Sequence, residues 1–393
     1  MWEIFLVFLK LGLTSFGGPV AHLGYFRTEF VERRQWLDDR AYGDLIALCQ
    51  FLPGPASSQT GFALGLRRGG FWGGVAAFAG FTLPSAALMV AAAYGVSAAG
   101  ELAGGGLLAG LKIAAAAVVA NALMGMARTL APDRPRRTLA LGSAALVLFL
   151  PVWPGVPQTG AILAAIGLGA AAGLLLKGGG GSAEAAEQAV PARRRTVLLL
   201  VIFLALLAGL PWAAAVTDAD ALHAASGIYR SGALVFGGGH VVLPLLEAEA
   251  VAPGYMDRDT FLAGYGLAQA LPGPLFAFSA YLGAAMTPGP GGAAGGLIAL
   301  ALIFLPGFLL VGAALPHWTR LQANRRARRV LNGVNAAVVG VLGAAFYTPV
   351  WTSAMTGPLP VALGLIAFAA LAVWRAPPWA VVLAAGASGW AVL

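Results

Sequence analysis

Two kinds of Gly/Pro-rich interruption break apolar segments near the start of the chain, and both could expose main-chain hydrogen-bond donors. They are residues 16–19, with the sequence FGGP, and residues 52–55, with the sequence LPGP. Both return in degenerate form about 220 residues later, as FGGG at 236–239 and LPGP at 271–274. A helix that restarts after such a break presents free N–H groups and the positive end of its dipole, which suit an anion. The pattern therefore predicts an anion site built largely from main chain.

Charged residues recur at matching places around these breaks. Lys10 and Arg230 each lie six residues before a Phe-Gly-Gly sequence. A cation within an apolar segment costs roughly 3 kcal/mol or more to insert, so both are candidates for contact with the anion. The alternative is that each side chain extends to the lipid headgroups. Glu29 and Glu249 also occupy matching positions, and they could carry coupling protons or pair with nearby arginines.

Neutral polar side chains cluster at the same breaks, although residues of this type often only join membrane helices to one another. Because the breaks recur in the same order and spacing, we interpret them as substrate-binding rather than as simple helix kinks. We expect them to frame one central site, with each Phe-Gly-Gly sequence near the bilayer midplane, close to the Pro-Gly-Pro sequence of its own repeat and facing the partner repeat. The candidate substrate-binding residues are Lys10, Ser15, Gly17, Gly18, Gln50, Gly54, Gln59, Arg230, Gly237, Gly238, Gln269 and Gly273.

The composition places these breaks in a membrane protein made of helices. Of the 393 residues, 59% are hydrophobic and only 10% are charged, whereas soluble domains carry roughly 25% charged residues. Several apolar segments reach the length of about 20 residues that a helix needs to cross the hydrocarbon core. They are rich in Ala, Gly and Leu and do not alternate with polar residues, which favours helices over a β-barrel.

The distribution of positive charge indicates that the two repeats have opposite orientations in the membrane. Residues 27–40 of the first repeat contain four arginines, whereas residues 247–259 of the second are mostly acidic where charged. Cytoplasmic loops are enriched in Lys and Arg. The first two segments of each repeat could form a spanning hairpin or two re-entrant segments, and either choice leaves an odd number of crossings between the copies. The predicted fold is an all-α polytopic membrane protein with two inverted structural repeats and broken or re-entrant helices.

The domain organisation follows from the same comparison. Residues 1–177 are predicted to form the first transmembrane repeat, residues 178–195 a cytoplasmic linker, and residues 196–393 the second repeat. Residues 2–16 lack a preceding basic stretch and an evident cleavage site, so we expect them to remain in the mature protein. Cys49 is the only cysteine, so no intrachain disulfide is expected.

Several other functional classes do not fit the sequence. A Gly-x-x-x-x-Gly-Lys-Ser/Thr nucleotide loop is absent, so transport would use a gradient rather than ATP. His-Glu-x-x-His is absent and the four histidines are scattered, so no catalytic residue, metal or cofactor is predicted. The net charge of +8 is interpreted as loop topology rather than nucleic-acid binding. The remaining classes are a secondary transporter and a membrane scaffold without a substrate, and the repeated breaks favour the transporter.

The residues at the breaks resemble the chromate ion transporter (CHR) family in its long, two-domain form. The resemblance is carried by residues 5–19 and 50–59 in the first half, and by 234–245, 269–274 and 281–283 in the second. It implies export of chromate across the plasma membrane, driven by the membrane potential or a proton gradient, and resistance to chromate. A transporter of sulfate or another small oxyanion on the same scaffold is the alternative. The oligomeric state stays open, a homodimer included.

Overall fold

The computed structural model describes residues 1–102, 104–175, 193–236, 239–318 and 324–393, and in these ranges it contains helices and turns but no β-strand. The first half contains α1 (Trp2–Thr14), α2 (Gly18–Arg27), α3 (Asp39–Phe51), α4 (Ala56–Leu102), α5 (Gly104–Leu130), α6 (Arg134–Phe149) and α7 (Gln158–Leu175). The second half contains α8 (Arg193–Thr217), α9 (Asp220–Leu234), α10 (Val242–Ala250), α11 (Arg258–Ala270), α12 (Phe278–Ala285), α13 (Gly292–Ala314), α14 (Arg325–Ala345), α15 (Pro358–Ala372) and α16 (Pro378–Val392).

Six helical stretches within the described ranges are long and apolar enough to cross a membrane. They are Ala56–Val96, Gly105–Leu130, Gln158–Leu175, Arg194–Thr217, Gly292–His317 and Arg325–Ala354. The stretch within α8 is only 6% buried inside the protein, as expected for a helix whose side chains face lipid. These helices confirm the predicted all-α polytopic membrane fold.

The first Phe-Gly-Gly break turns the chain back toward the face from which α1 enters. Helix α1 packs closely on the second half of α4, where a Cβ atom on Gly12 would lie 2.6 Å from the Phe81 carbonyl oxygen. After the break, α2 continues into a π-helical turn (Thr28–Arg33), and the next residue, Arg34, pairs with Glu3 at 3.0 Å. Because Glu3 lies in the first turn of α1, the α1–α2 pair returns to its starting face and is re-entrant.

Helix α4 is a hairpin rather than one long rod. Its two arms, α4a (56–68) and α4b (71–102), meet at residues 69–70, which leave helical geometry. Gly65 of α4a touches Gly73 of α4b, an approach that residues eight apart in a straight helix, about 12 Å from each other, cannot make. The absence of a side chain at both glycines allows the two arms to approach this closely.

The Pro-Gly-Pro break between α3 and α4a creates a second re-entrant pair at the same face. Arg68, at the end of α4a, lies 5.2 Å over the ring of Trp36, which precedes α3. The chain therefore leaves this face and returns to it within the pair. We call the face that carries Glu3, Arg34, Trp36 and Arg68 the inner face.

The second repeat forms the same two re-entrant pairs, α9–α10 and α11–α12, from the opposite side. Glu249 at the end of α10 pairs with Arg230 of α9 at 2.6 Å, and Asp259 at the start of α11 pairs with Lys112 near the start of α5 at 2.9 Å. These residues mark the outer face. The segments α4b, α5, α6, α7 and α8, an odd number, separate the two sets of pairs. The predicted inverted repeats are thus confirmed, and the segments are re-entrant rather than spanning hairpins.

Positive charge is concentrated at the inner face. The arginines of residues 134–137, 193–195 and 325–329 all lie in segments that reach this face, next to the arginines of 27–40 and 67–68. In the segments at the outer face, 218–220 and 247–259, the charged residues are mostly Asp and Glu. The positive-inside rule therefore assigns the inner face to the cytoplasm.

The last helices of each repeat pack on the opposite repeat. Helix α7 of the first repeat contacts α14 of the second, where Gly173 touches the backbone of Arg329. Helix α16 of the second repeat contacts α5 of the first, where Gly106 touches Gly389. Small residues at these crossings allow close approach of the helix backbones in lipid. The two repeats are interlocked, and neither buries its helices alone.

The re-entrant topology predicts which loops a membrane-impermeant thiol reagent reaches. In a Cys49→Ser background, Ala252→Cys should be labelled in intact cells, because exposed Ala252 lies between α10 and α11 at the outer face. Arg40→Cys and Arg67→Cys, also exposed, should be labelled only after permeabilisation. The Cys49→Ser protein without a new cysteine is the control. Labelling of all three positions from the same side would contradict the inverted re-entrant arrangement.

Candidate functional site

The four breaks meet at the centre of the protein through two backbone hydrogen bonds that cross between the repeats. The Gly54 N–H donates to the Val235 carbonyl at 2.7 Å, and the Gly273 N–H donates to the Ser15 carbonyl at 2.9 Å. Ser15 and Val235 occupy matching positions directly before the Phe-Gly-Gly sequences. The bonds therefore join opposite repeats, as expected if each Phe-Gly-Gly break faces the partner repeat, and the proximity of the two breaks within a repeat stays a prediction.

The helix ends explain why these carbonyl groups are available. Ser15 ends α1 with φ −89° and ψ 101°, and Val235 ends α9 with φ −75° and ψ 115°. Extended backbone at a helix end turns the carbonyl away from the helical hydrogen-bond pattern. A polar main-chain group at membrane depth needs a partner within the protein or a wet cavity. The glycine N–H of the opposite repeat supplies that partner.

The two glycines at these crossings cannot carry side chains in their observed conformation. Gly54 has φ +126° and Gly273 has φ +92°, both in the left-handed region. A Cβ atom would lie 2.7 Å from Gln59 Nε2 at Gly54, and 2.8 Å from Ser85 Oγ at Gly273. Each Pro-Gly-Pro sequence therefore needs glycine for its backbone shape as well as for close packing.

A cavity of about 110 Å³ opens where the first Phe-Gly-Gly break meets the second Pro-Gly-Pro break. Four of the predicted substrate-binding residues line it: Gly17, Gly18, Gln269 and Gly273. The other lining residues are Asn121, His240, Val118, Ala122, Ala268, Leu271, Leu275, Leu371 and Pro378. This volume holds several water molecules or one small polyatomic anion.

The cavity presents neutral hydrogen-bond donors. Helix α2 begins at Gly18 with no side-chain cap at Gly17, so the positive end of its dipole lies at the cavity. The Gln269 amide nitrogen is buried near the Tyr265 hydroxyl, but it makes no hydrogen bond of good geometry in the described part of the chain. The described lining residues contain no Asp, Glu, Lys or Arg. Such a lining suits a ligand that is rich in acceptors and brings its own charge.

Three further predicted residues lie beside the crossings. Ser15 is fully buried, and its hydroxyl has no partner in the described residues. Gln59 is also fully buried, and its Nε2 donates to the Pro53 carbonyl at 2.8 Å and to the Gly307 carbonyl at 3.2 Å. Gln59 thus braces the first Pro-Gly-Pro break against α13. Gln50, by contrast, is exposed.

The first repeat buries polar side chains where the second repeat buries apolar ones. Of the seven buried polar atoms of the first repeat that have no hydrogen-bond partner in the described residues, five fall within residues 15–82: Ser15 Oγ, His22 Nε2, Ser58 Oγ, Gln59 Oε1 and Thr82 Oγ1. The matching residues of the second repeat are Val235, Val242, Ala277, Phe278 and Phe304, all buried. The backbone symmetry of the two repeats is therefore not matched by their side chains.

The predicted charged residues lie away from the cavity. Arg230 forms hydrogen bonds with both oxygens of Glu249, at 3.2 and 2.6 Å, and Thr159 donates to the same carboxylate at 3.1 Å. Lys10 is exposed on α1. Gly237 and Gly238 fall outside the described residues. The structure thus brings four predicted residues into the cavity and leaves Lys10 and Arg230 outside its lining.

Glu29 matches Glu249 in the repeat but pairs with residues of its own loop. Its carboxylate accepts from Arg34 Nε at 2.7 Å and from Arg33 Nη1 at 3.5 Å. Burial alone would raise the pKa of Glu29, but the hydrogen bond and charge of Arg34 hold this pKa below its usual value. A carboxylate that stays ionised and paired is a poor proton carrier, and the coupling role of Glu29 stays a prediction.

Asn121, His240 and Tyr265 were not among the predicted site residues. Asn121 and His240 line the cavity, and the hydroxyl group of Tyr265 lies 2.9 Å from His240 Nδ1. Two of the three, His240 and Tyr265, have a signal in the sequence. His240 directly follows the second Phe-Gly-Gly break, and Tyr265 precedes Gln269 by four residues, which places both on one face of α11.

Comparison with known proteins agrees with these features. The family model described as "Chromate transporter" matches residues 2–174 and 222–390. A chromate transport protein of Pseudomonas aeruginosa is 31% identical over 99% of this chain and 92% of its own length. A probable chromate transport protein of Synechococcus elongatus is 26% identical over 86% of this chain and 81% of its own. A chromate transport protein of Cupriavidus metallidurans is 24% identical over 86% and 80%, respectively.

No solved structure matches the chain. The family model covers both repeats and leaves out α8, which has no counterpart in the first repeat. Its two matched parts contain all four breaks and the residues that join them across the centre. The chain therefore belongs to the chromate transporter family.

Proposed function

We propose that the protein is a secondary transporter, not an enzyme, that exports chromate across the plasma membrane and so confers chromate resistance. The observation that carries the proposal is the central cavity, where uncharged donors from opposite repeats face one small space. Chromate is small, tetrahedral and rich in acceptors, and it brings the charge that the lining lacks. The amide of Gln269 and the start of α2 at Gly18 are the groups that we assign to it.

The membrane potential favours the outward direction. Moving a dianion out of a cell that is negative inside releases roughly 4–5 kcal/mol per 100 mV, at about 2.3 kcal/mol per charge. Export therefore needs no coupled proton. The basic inner face would raise the local concentration of the dianion before transport, and the acidic outer face would disfavour its return.

The remaining predicted residues act around the cavity in this proposal. Gly54, Gly273 and Gln59 hold the breaks in place, and Ser15 provides the carbonyl group that accepts from Gly273. Lys10 adds positive potential on the inner approach. Arg230 does so from the outer face, where its pairing with Glu249 also fixes the second re-entrant pair.

A transporter of sulfate or another small oxyanion is the second candidate. Chromate and sulfate are both tetrahedral dianions, so neutral N–H donors that bind one of them can also bind the other. Uptake of sulfate against an inside-negative potential would require a coupled cation. Glu29 and Glu249 are then the acids that we would assign to coupling. A membrane scaffold without a substrate would not explain why hydrogen-bond donors face the central cavity.

We expect everted membrane vesicles containing the protein to accumulate chromate when their interior is positive. The potential contributes about 4–5 kcal/mol per 100 mV for a dianion, so collapsing it should abolish most accumulation. Uptake of radiolabelled chromate, with and without excess sulfate, measures this. Vesicles without the protein are the control. Uptake of sulfate in preference to chromate would favour the second candidate, and uptake of neither anion would overturn the proposal.

Gly18→Val should abolish chromate uptake in the same assay, because the new side chain would extend from the cavity wall where the anion approaches the main chain. Gly70→Val is a matched control. Both glycines have positive φ, +77° and +63°, and a Cβ atom at either meets no atom within 4 Å. A side chain at either position therefore strains the backbone without a steric clash, but residue 70 lies at the inner-face turn. Equal losses in both variants at equal expression would contradict a role for Gly18 in binding.

Lys10→Gln should lower the initial rate of chromate uptake, whereas Lys10→Arg should retain most of it. A positive charge near the path attracts the dianion, and this attraction is stronger where the effective dielectric is low. We expect a loss of about fivefold to tenfold for the neutral variant, the range of one modest charge interaction. Arg67→Gln, which removes another exposed cation of the inner face, measures the effect of general surface charge, and the loss in Lys10→Gln should exceed it. Wild-type rates in Lys10→Gln would indicate that the side chain only extends to the headgroups.

A further inference from the structure

Two aromatic side chains of the second repeat form a hydrogen-bonded pair at the edge of the central cavity. The hydroxyl oxygen of Tyr265 lies 2.9 Å from Nδ1 of His240, and His240 lines the cavity. Tyr265 is fully buried, and its ring packs against Phe278 with centroids 5.6 Å apart. The tyrosine therefore has a fixed position from which to orient the imidazole ring.

The direction of this hydrogen bond sets the tautomer of His240. A neutral imidazole has one N–H donor and one acceptor nitrogen. If Nδ1 carried the proton, the buried Tyr265 O–H would have no acceptor among the hydrogen bonds of the described residues, which is unfavourable. The O–H therefore donates to Nδ1, and the proton of the ring resides on Nε2. His240 thus contributes a further side-chain donor to the cavity, besides the amides of Gln269 and Asn121.

Resting on the transport function proposed above, we propose that His240 is an oxyanion-binding residue that donates from Nε2, and that Tyr265 is the positioning residue that selects this tautomer. The described lining contains no carboxylate that would compete for the donor. An oxyanion offers acceptors in several directions, so Nε2–H, the Gln269 amide and the start of α2 can address different oxygens. A buried anion needs several such donors.

His240 and Tyr265 belong to the second repeat and Asn121 to the first, and none of the three has a polar counterpart in the other repeat. At the matching sequence positions, His240 corresponds to Val20, Tyr265 to Ile46, and the lining residue Asn121 to Val341. The matching residues offer no side-chain hydrogen bond. Both backbone crossings form, although the three polar side chains lie at only one of them. The crossings therefore do not require these side chains. Their presence on one side therefore points to a ligand-binding role rather than to the fold.

The test replaces His240 with side chains whose amide nitrogen takes the position of one or the other nitrogen of the imidazole ring. A glutamine at position 240 carries its amide nitrogen at the reach of Nε2, whereas an asparagine carries it at the reach of Nδ1. His240→Gln should keep the KM for chromate within about threefold of wild type, and His240→Asn should raise it about 10- to 100-fold, the range for a lost hydrogen bond to a charged group. Tyr265→Phe should raise the KM about three- to tenfold, because it frees the other tautomer.

The double variant distinguishes positioning from general damage. In the His240→Gln background, Tyr265→Phe should change the KM by less than about twofold, since an amide has no tautomer to select. Tyr281→Phe is the matched control, because Tyr281 is equally buried but donates to the Thr260 carbonyl at 2.8 Å. Thermal unfolding of each purified variant, with and without chromate, separates stability from binding. The Vmax per folded molecule should stay near wild type.

The outcomes separate this inference from the proposed function. If wild-type vesicles transport neither chromate nor sulfate, the proposed function fails and the inference fails with it. If the wild type transports chromate and His240→Asn has an unchanged KM, the inference alone is overturned. Equal effects of Tyr265→Phe in the His240 and His240→Gln backgrounds would overturn the positioning role of Tyr265.

Discussion

Main-chain polar groups at membrane depth must find partners, and the arrangement of the four breaks follows from this constraint. Each Phe-Gly-Gly sequence leaves a carbonyl group outside its helix, and each Pro-Gly-Pro sequence leaves an N–H group. The two repeats satisfy these groups reciprocally, Gly54 with Val235 and Gly273 with Ser15. A single repeat would leave both kinds of group without a partner in lipid. The duplicated chain therefore completes its fold and forms its cavity with the same hydrogen bonds.

The packing of the outer helices reinforces this dependence. The last helices of each repeat lie on the opposite repeat, with glycine against glycine at Gly106 and Gly389 and glycine against backbone at Gly173. Lipid provides no hydrophobic drive for helix association, so close van der Waals contact and hydrogen bonds must hold these helices together. The interlocked arrangement supplies both without placing charged groups at the centre. Ion pairs such as Arg34–Glu3 and Arg230–Glu249 lie instead at the two faces.

Sequence reasoning predicted the elements that repeat and failed for those that depend on tertiary placement. The paired breaks, the helical membrane fold and the inverted orientation follow from motif spacing and loop charge, both of which are local properties of the chain. The crossing of Gly54 to Val235 could not be predicted, because motif spacing indicates which backbone groups need a partner but not which segment supplies it. The hydrogen bond between Tyr265 and His240 joins α11 to a different segment, and no periodicity connects the two. Arg230 was selected for its charge, whereas its pairing with Glu249 depends on how α10 folds back onto α9.

The contrast between symmetric backbone and asymmetric side chains has a physical explanation. The hydrogen bonds at the crossings occur in both repeats because the main-chain groups need partners in lipid, whereas the side chains around the two glycines differ between the repeats. Unpartnered polar atoms cost free energy when buried, so residues such as Ser15, His22 and Thr82 would be replaced by apolar ones unless a ligand or solvent compensated them. The second repeat has Val235, Val242 and Phe304 at these places, which shows that an apolar lining is compatible with the same backbone. The polar side chains at these places are therefore not required by the backbone that the two repeats share. They are free to serve a ligand, and this is the basis on which the transport function is proposed above.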